Sequence, residues 1–254
     1  MKIAVITGAS SGMGQEFARQ LSARERFDEV WVIARREARL VALREELKIP
    51  MRILPMDLTK KESFHQYQAL LEQEKPEISL LINASGFGRF GRYDEISIED
   101  SLEMIDLNCK ALVAMTELSL PYMKSGSRIL QVDSLSAFQP VPHLNVYGST
   151  KAFVLNYSKA LKAELRDRKI HVMAFCPGWV TTEFFNRAET GEKKVITYFN
   201  RVFTADEVVR TAFKDLDKKK IVCIPGWQNK LQCLAVKFLP SSLVLNIWMK
   251  QQKF

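Results

Sequence analysis

Short apolar runs alternate along the chain with segments in which apolar residues recur every three or four positions. The runs have the length of buried strands, and the periodic segments have the length of amphipathic helices. In 37–47, for example, Leu40, Leu43 and Leu47 share one helical face. The pattern predicts strands at Ile3–Thr7, Val30–Ala34, Arg52–Met56, Ile78–Asn83, Arg128–Asp133, Ile170–Cys176 and Ile221–Ile224. It predicts helices at Gly14–Ala23, Glu37–Leu47, Lys60–Gln73, Val146–Arg166 and Ala205–Leu216, with one or two more within Ile98–Met123.

Strands that alternate with helices of this length form a parallel sheet with helices on both faces. The expected fold class is therefore α/β, a Rossmann-type doubly wound parallel sheet of about seven strands. No linker, repeat or low-complexity stretch interrupts the pattern. We expect one domain over residues 1–254, with 229–254 as an amphipathic C-terminal extension of that domain.

Composition narrows the class of protein without identifying it. Hydrophobic residues make up 47% of the chain and charged residues 26%, which is ordinary for a globular protein. The four cysteines and three histidines show no metal-ligand spacing, so we expect no metal site. The net charge is +8, and eight lysines lie between Lys214 and Phe254. A solvated lysine face explains this better than nucleic-acid binding, because no basic stripe with interleaved aromatic residues accompanies it.

The N-terminal apolar run, Ile3–Thr7, is too short for a signal peptide and leads directly into a glycine-rich turn. No segment approaches the ~18 continuous apolar residues that a membrane-spanning helix needs. We therefore expect a cytoplasmic protein without a transmembrane span.

A glycine-rich turn follows the first predicted strand and opens the first helix. Gly8, Gly12 and Gly14 give it a G-x-x-x-G-x-G spacing. Glycines let the backbone turn tightly and approach a pyrophosphate, and the N–H groups of a helix N-terminus favour the anion. The turn therefore predicts a dinucleotide site, against the alternative of a tight turn that holds no ligand.

The second predicted strand ends at Arg35 and Arg36. A protein selective for NAD usually carries an acidic residue there, which bonds the ribose 2′-hydroxyl. Guanidinium groups instead suit a 2′-phosphate. Without such a ligand, two cations at the N-terminus of a helix would be unfavourable, because the helix dipole is positive there. The two arginines predict NADP(H) as the cofactor.

The same turn also matches a different class of enzyme. Gly8, Ser10 and Gly12 fit the G-x-S-x-G elbow of serine hydrolases, for which His143 or His171 could serve as the base. The elbow normally lies deeper in the sheet than the first strand. A serine hydrolase and a non-catalytic dinucleotide-sensing module remain as alternatives.

Further motifs follow the glycine turn in order: Asp57-Leu58, Asn83-Ala84-Ser85-Gly86, Ser134 with Tyr147-x-x-x-Lys151, and Pro177-Gly178. From Thr7 to about Thr182, these motifs resemble those of the short-chain dehydrogenase/reductase family. Ser85 departs from the family's Asn-Ala-Gly pattern, but a small residue still fits the tight turn. The resemblance implies catalytic roles for Asn108, Ser134, Tyr147 and Lys151. With the turn and the arginines, it implies cofactor contacts at Gly8, Ser10, Ser11, Gly12, Met13, Gly14, Arg35, Arg36, Asp57, Leu58, Asn83, Ala84, Tyr147, Lys151, Pro177, Gly178, Val180 and Thr182.

The chemistry of these side chains agrees with that resemblance. Tyr147 and Lys151 are four residues apart, so they share a helical face. An ammonium near a phenol favours the phenolate, so we expect Lys151 to lower the pKa of Tyr147. Tyr147 could then exchange a proton with an alkoxide, and Ser134 could polarise the carbonyl. The predicted reaction is NADP(H)-dependent interconversion of a ketone or aldehyde and an alcohol. By the resemblance, Asn108 would anchor a water in a proton relay.

The residues that the resemblance places around the substrate are bulky and apolar, which favours a hydrophobic substrate such as a steroid, bile acid, fatty-acyl or aromatic carbonyl. A core role is an equal alternative for any one of them. The substrate candidates are Phe87, Phe90, His143, Trp179 and Phe185, with Phe138, Val141, Leu144 and Phe184 beside them.

The C-terminal extension carries apolar residues at helical spacing on both sides of Pro240. Pro240 should divide it into two short pieces. We expect these pieces to cover the substrate cleft or a subunit interface rather than a membrane surface, although peripheral membrane contact stays open. The expected assembly is a homodimer or homotetramer.

Overall fold

The computed structural model describes residues 1–188 and 196–253. The strands are β1 (Lys2–Thr7), β2 (Glu29–Ala34), β3 (Met51–Pro55), β4 (Glu77–Asn83), β5 (Arg128–Val132), β6 (His171–Phe175), β7 (Trp179–Thr181), β8 (Val202–Thr204) and β9 (Val222–Cys223). The helices are α1 (Gly12–Ser22), α2 (Glu37–Leu47), α3 (Lys61–Glu74), α4 (Ile98–Ile105), α5 (Ala111–Ser119), α6 (Asn145–Glu164), α7 (Phe184–Ala188), α8 (Ala205–Asp217), α9 (Trp227–Phe238) and α10 (Ser241–Gln252).

Seven of these strands form one sheet in the order β3-β2-β1-β4-β5-β6-β9, and each neighbouring pair is parallel. The strand order reverses direction between β1 and β4. In open parallel sheets, ligands bind in the crevice at this reversal, beyond the carboxyl ends of the strands. The predicted fold class is confirmed, and it places the glycine turn after β1 beside the turn after β4.

The sheet is buried on both faces because alternate residues of each strand enter different cores. On one face, Ala4 and Ile6 pack with Phe17 of α1 and Phe213 of α8. On the other face, the strands pack against α3, α5 and α6, and their core residues include Ile3, Val5, Trp31, Tyr67 and Leu161. This two-sided burial explains why the strands are continuous apolar runs rather than alternating ones.

A π-helical turn at Asp106–Lys110 separates α4 from α5 within the stretch predicted to hold one or two helices. One extra residue per turn changes which side chains face inward, and such turns often occur at functional sites. Here the turn buries Asn108. The period of the apolar residues did not reveal it.

The other differences from the sequence prediction lie near the end of the sheet. The last strand is only Val222–Cys223, because Lys218, Lys219 and Lys220 precede it and Pro225 follows it. A two-stranded parallel pair, β7 with β8, was not predicted. The extension forms two helices, α9 and α10, that meet at Pro240, which confirms the predicted break.

Candidate active site

The turn after β1 is built so closely that only glycine fits at its key positions. Gly8 and Gly12 have positive φ angles of 70° and 53°. A Cβ at Gly8 would lie 2.7 Å from the Ala84 carbonyl oxygen, and one at Gly14 would lie 2.2 Å from the Gly8 carbonyl oxygen. The turn leads into the N-terminus of α1, where the Ser11 side chain makes no capping bond. This geometry fits a dinucleotide pyrophosphate held by backbone N–H groups.

The neighbouring turn after β4 is fastened to the glycine turn. The Thr7 hydroxyl accepts hydrogen bonds from the backbone N–H groups of Ala84 and Ser85, at 3.0 and 3.1 Å. Asn83 is buried and donates to Thr116 and Gln131, at 3.0 and 2.9 Å. Its side chain therefore braces the sheet against α5 rather than facing the crevice.

The two predicted arginines lie on different sides of the crevice. Arg36 donates to the hydroxyls of Ser10 and Ser11, at 3.3 and 2.6 Å, and so lies directly over the glycine turn. Arg35 approaches the carboxylates of Asp57 and Glu103, at 4.0 and 3.5 Å. Both guanidinium groups are about half exposed, which leaves them available to an anionic ligand.

A third arginine, Arg39, was missed by the sequence prediction. It lies one turn into α2, and both Arg36 and Arg39 pair with Glu183. The available signal was its position three residues after Arg36, which places both on one helical face. The crevice near the end of β2 therefore carries three guanidinium groups, while Glu183 partly balances two of them.

Asp57 and Leu58 follow β3, as the prediction required. The Asp57 carboxylate accepts hydrogen bonds from the backbone N–H and the hydroxyl of Thr59, at 3.0 and 2.8 Å. Leu58 is buried in the core. Both residues therefore shape the loop at the outer end of the crevice.

Ser134, Tyr147 and Lys151 come together at the carboxyl end of β5. Ser134 starts the short 3₁₀ turn Leu135–Phe138, and its hydroxyl accepts from the Ser136 N–H at 3.2 Å. Ser134 lies beside Tyr147, close enough for its hydroxyl to act on the pKa of the phenol. Lys151 is buried and donates to the Val132 carbonyl oxygen at 2.8 Å, with its ammonium 5.7 Å from the centroid of the Tyr147 ring.

Asn108 lies behind this group. Its side-chain oxygen accepts from the Phe87 N–H at 3.0 Å, and its amide donates to the Phe87 carbonyl and to the Thr150 hydroxyl, at 2.9 and 3.0 Å. These bonds join the loop after β4 to α6. Asn108 therefore fixes the backbone that surrounds Tyr147 and Lys151.

The predicted direction of the Tyr147 pKa shift is wrong. Burial raises the pKa of the phenol above its ordinary value, and the neighbouring Ser134 hydroxyl offsets only part of that rise. Burial also lowers the pKa of Lys151, while the nearby Asp133 carboxylate opposes that shift. Removing the phenol from water therefore outweighs the effect of the ammonium, which is itself bonded to a carbonyl and close to a carboxylate.

Asp133, which precedes Ser134 and lines the same site, was not among the predicted residues. It is buried, one of its carboxylate oxygens accepts weakly from the Cys176 thiol at 3.5 Å, and burial raises its pKa to about 7. The attraction of the Lys151 ammonium opposes that rise. An acid at the end of an apolar strand was the available signal, because such residues are seldom buried without a partner.

An apolar cavity of about 440 Å³ opens onto Ser134 and Tyr147. Among the predicted substrate residues, Phe90, Trp179 and Phe185 line it, together with Val141, Leu144 and Phe184. Met13, Pro177, Gly178, Val180 and Thr182, predicted to touch the cofactor, line it too. The described residues that line the cavity do not include Phe87, Phe138 or His143. Phe87 is fully buried behind Asn108, Phe138 packs in a separate apolar cluster, and His143 takes a left-handed backbone conformation.

The far wall of the cavity is formed by α9 and α10. Trp248 lines it and donates from its indole N–H to the Pro142 carbonyl at 3.1 Å. Gln252 anchors the end of α10, because its side-chain oxygen accepts from the N–H groups of Thr197 and Tyr198, at 2.9 and 3.0 Å. The other lining residues are Leu239, between the two helices, and on the helices Gln232, Ala235, Val236, Val244, Ile247 and Gln251.

Comparison with known proteins identifies the family. The family model for short chain dehydrogenases matches residues 2–193. The chain belongs to the short-chain dehydrogenase family. It is 30% identical to an uncharacterized oxidoreductase of Staphylococcus epidermidis, over 82% of this chain and 89% of that protein. Family membership makes it an oxidoreductase that acts on CH–OH groups, and it confirms the predicted resemblance.

Two further relatives carry more specific descriptions. The NADP-dependent 3-hydroxy acid dehydrogenase of Escherichia coli K12 is 33% identical, over 83% of this chain and 86% of that protein. A short-chain dehydrogenase from Sphingobium yanoikuyae, solved in complex with NADPH, superposes with a TM-score of 0.81 at 28% identity. That alignment covers 96% of this chain and 95% of that one.

The geometry of this short-chain dehydrogenase does not support the hydrolase alternative. Ser10 accepts a hydrogen bond from Arg36, and its turn follows the carboxyl end of β1. His171 begins β6, at the amino ends of the parallel strands, and bonds the Lys220 carbonyl at 3.0 Å. A parallel sheet therefore holds this serine and this histidine apart.

Proposed function

We propose that this short-chain dehydrogenase uses NADP(H) to interconvert a bulky hydrophobic ketone or aldehyde and its alcohol. The predicted cofactor agrees with the E. coli and Sphingobium relatives, whose descriptions name NADP and NADPH. The glycine turn and the arginines provide groups for its phosphates. When bound, the cofactor supplies or accepts the hydride.

The polar side chains around Tyr147 each have a role in the proposed reaction. Tyr147 donates a proton to the developing alkoxide during reduction and accepts it during oxidation. Ser134 donates a hydrogen bond to the substrate oxygen, which polarises the carbonyl. Lys151 and Asn108 hold the backbone and the proton-bearing groups in place around Tyr147. These assignments rest on the contacts described above and on the family resemblance.

The lining of the cavity carries the proposal about the substrate. Phenylalanine, tryptophan and aliphatic side chains dominate it, and its described residues include no lysine or arginine. A 3-hydroxy acid, the substrate class named for the E. coli relative, carries a carboxylate, and the lining offers it neutral amides such as those of Asn200, Gln232 and Gln251 but no cation to balance its charge. A bulky apolar carbonyl compound has no charged group whose hydration would be lost when it enters the cavity.

Consumption of NADPH with two substrate panels tests this proposal. One panel contains aryl and alicyclic ketones of increasing size, and the other contains short 3-oxo acids. We expect kcat/KM for the bulky ketones to be higher by at least about tenfold, since even one methylene in an apolar pocket changes it by that amount. A preference for the oxo acids would contradict the proposed substrate class. No turnover with either panel, despite NADPH binding, would favour the dinucleotide-sensing alternative. The predicted homo-oligomer and cytoplasmic location stay predictions.

A further inference from the structure

One face of α9 carries four large apolar side chains that point into solvent. Trp227, Leu231, Leu234 and Phe238 are 68%, 58%, 55% and 78% exposed. Their spacing of four, three and four residues places them in one narrow row along the helix. We refer to these four residues as the outer row.

The fold does not need the outer row for its own packing. The other side of α9 is partly covered, since Cys233 and Val236 are half-buried and Gln232, Ala235 and Val236 line the cavity. At its start, Asn229 is buried and donates to the Pro225 carbonyl at 2.8 Å, which anchors the helix to the loop that follows β9. A contiguous exposed apolar row on a helix that is already anchored is typical of an interaction surface.

The charges around the outer row indicate what kind of surface it binds. Residues 218–254 contain seven lysines and no aspartate or glutamate side chain. Lys230 and Lys237 lie along one flank of the row, each within one turn of an outer-row residue. A second copy of the chain docked here by two-fold symmetry would bring the same lysine-rich surface against itself. Like charges in such an interface are unfavourable, whereas an anionic surface complements them.

We propose that the outer row of α9 docks on the surface of an anionic lipid bilayer, with the helix lying in the plane of the interface. Helices that bind in this way combine an apolar row with lysines or arginines beside it, and they often carry tryptophan or phenylalanine. None of the described helices is long and apolar enough to cross a membrane, so the contact is peripheral. Docking requires no turnover and so does not depend on the proposed reaction. It would bring the apolar cavity, on the other side of α9, close to lipid-dissolved compounds.

Flotation of the full-length protein with vesicles tests this proposal. Wild-type protein should bind vesicles that contain phosphatidylglycerol, bind phosphatidylcholine vesicles much more weakly, and lose anionic binding as salt is raised. The double variant Leu234→Gln with Phe238→Gln should lose at least about tenfold in vesicle affinity, because two large apolar side chains no longer enter the interface. Lys230→Gln and Lys237→Gln should each lose about fivefold on anionic vesicles.

A matched control uses exposed apolar residues elsewhere on the surface. Tyr93 and Ile98 are 81% and 64% exposed, and Tyr93→Gln with Ile98→Gln should bind vesicles within about twofold of wild type. NADPH affinity and melting temperature verify that each variant is folded. If the Leu234 and Phe238 variant failed to fold, the two lysine variants would decide the question, since they alter only surface charge.

Three results would overturn the proposal. The first is wild-type vesicle binding by the outer-row variant, and the second is an equal loss in the Tyr93 and Ile98 control. The third is no vesicle binding by the wild type, combined with a dimer in light scattering that the outer-row variant abolishes. That last result would assign the surface to a second copy of the chain.

Discussion

The proposed cofactor end and the proposed substrate end of this enzyme meet at Ser134 and Tyr147, but they are built differently. The cofactor end consists of backbone groups and charged side chains. They are the glycine turn at Gly8, a helix N-terminus and guanidinium groups such as that of Arg36. The substrate end is an apolar cavity whose far wall comes from α9 and α10. Backbone hydrogen bonds fix one end closely, whereas side-chain packing shapes the other. The two ends should therefore respond to different substitutions.

The largest effect should come from the point where the two ends meet. Tyr147→Phe removes the phenolic proton and leaves the ring in place, so kcat should fall by about 10²–10⁴-fold. The NADPH dissociation constant, measured by fluorescence titration, should stay within a few-fold of wild type. More than about a tenth of wild-type kcat in the variant would remove Tyr147 from the proton-transfer role.

At the cofactor end, the wild type should prefer NADP(H) over NAD(H) by more than about tenfold. The double variant Arg35→Asp with Arg36→Ala should erase or reverse that preference. Charge-assisted hydrogen bonds of this kind contribute about 1.5–3 kcal/mol each. The preference is the ratio of the two kcat/KM values. Because Arg36 lies over Ser10 and Ser11, Arg36→Ala alone should reduce the preference for NADP(H) more than Arg35→Ala does. Equal use of both cofactors by the wild type would contradict this prediction.

At the substrate end, Trp248→Ala should raise KM for bulky ketones by about tenfold, because a large aromatic side chain leaves the cavity wall. NADPH affinity should not change. Trp227→Ala is a matched control, since Trp227 belongs to the outer row and points into solvent. An increase of KM in both variants, or in neither, would contradict the assignment of Trp248 to the substrate wall.

The smallest effect should be a change in how stability depends on pH. The folded-state pKa of Asp133 is about 7, and an unfolded aspartate has a pKa of about 4. The folded protein therefore holds this proton more tightly, and its stability should fall as pH rises from about 4 to about 7. Asp133→Asn should flatten that part of the curve of melting temperature against pH. An unchanged slope in the variant would assign the effect to another group.

Sequence prediction succeeded for the strands, the glycine turn and the kind of cofactor because the relevant signals are local. The apolar runs predicted the seven strands of the sheet. The spacing of Gly8, Gly12 and Gly14 identified a turn that only glycine permits. It failed where a residue's effect depends on what surrounds it. Burial reverses the expected shift in the pKa of Tyr147, and it makes Asp133 part of the site.

The sequence by itself determined the α/β class, the glycine turn, the arginines and the Ser134, Tyr147 and Lys151 set, because each depends on residue type and short spacing. Only the tertiary structure decided that Asn108 lies on a π-helical turn, that Phe87 lies behind the cavity and that Trp248 lines it. Trp248 bonds the Pro142 carbonyl across more than a hundred residues of chain. Contacts at such separations arise from the packing of whole helices against the sheet, and no short motif encodes them.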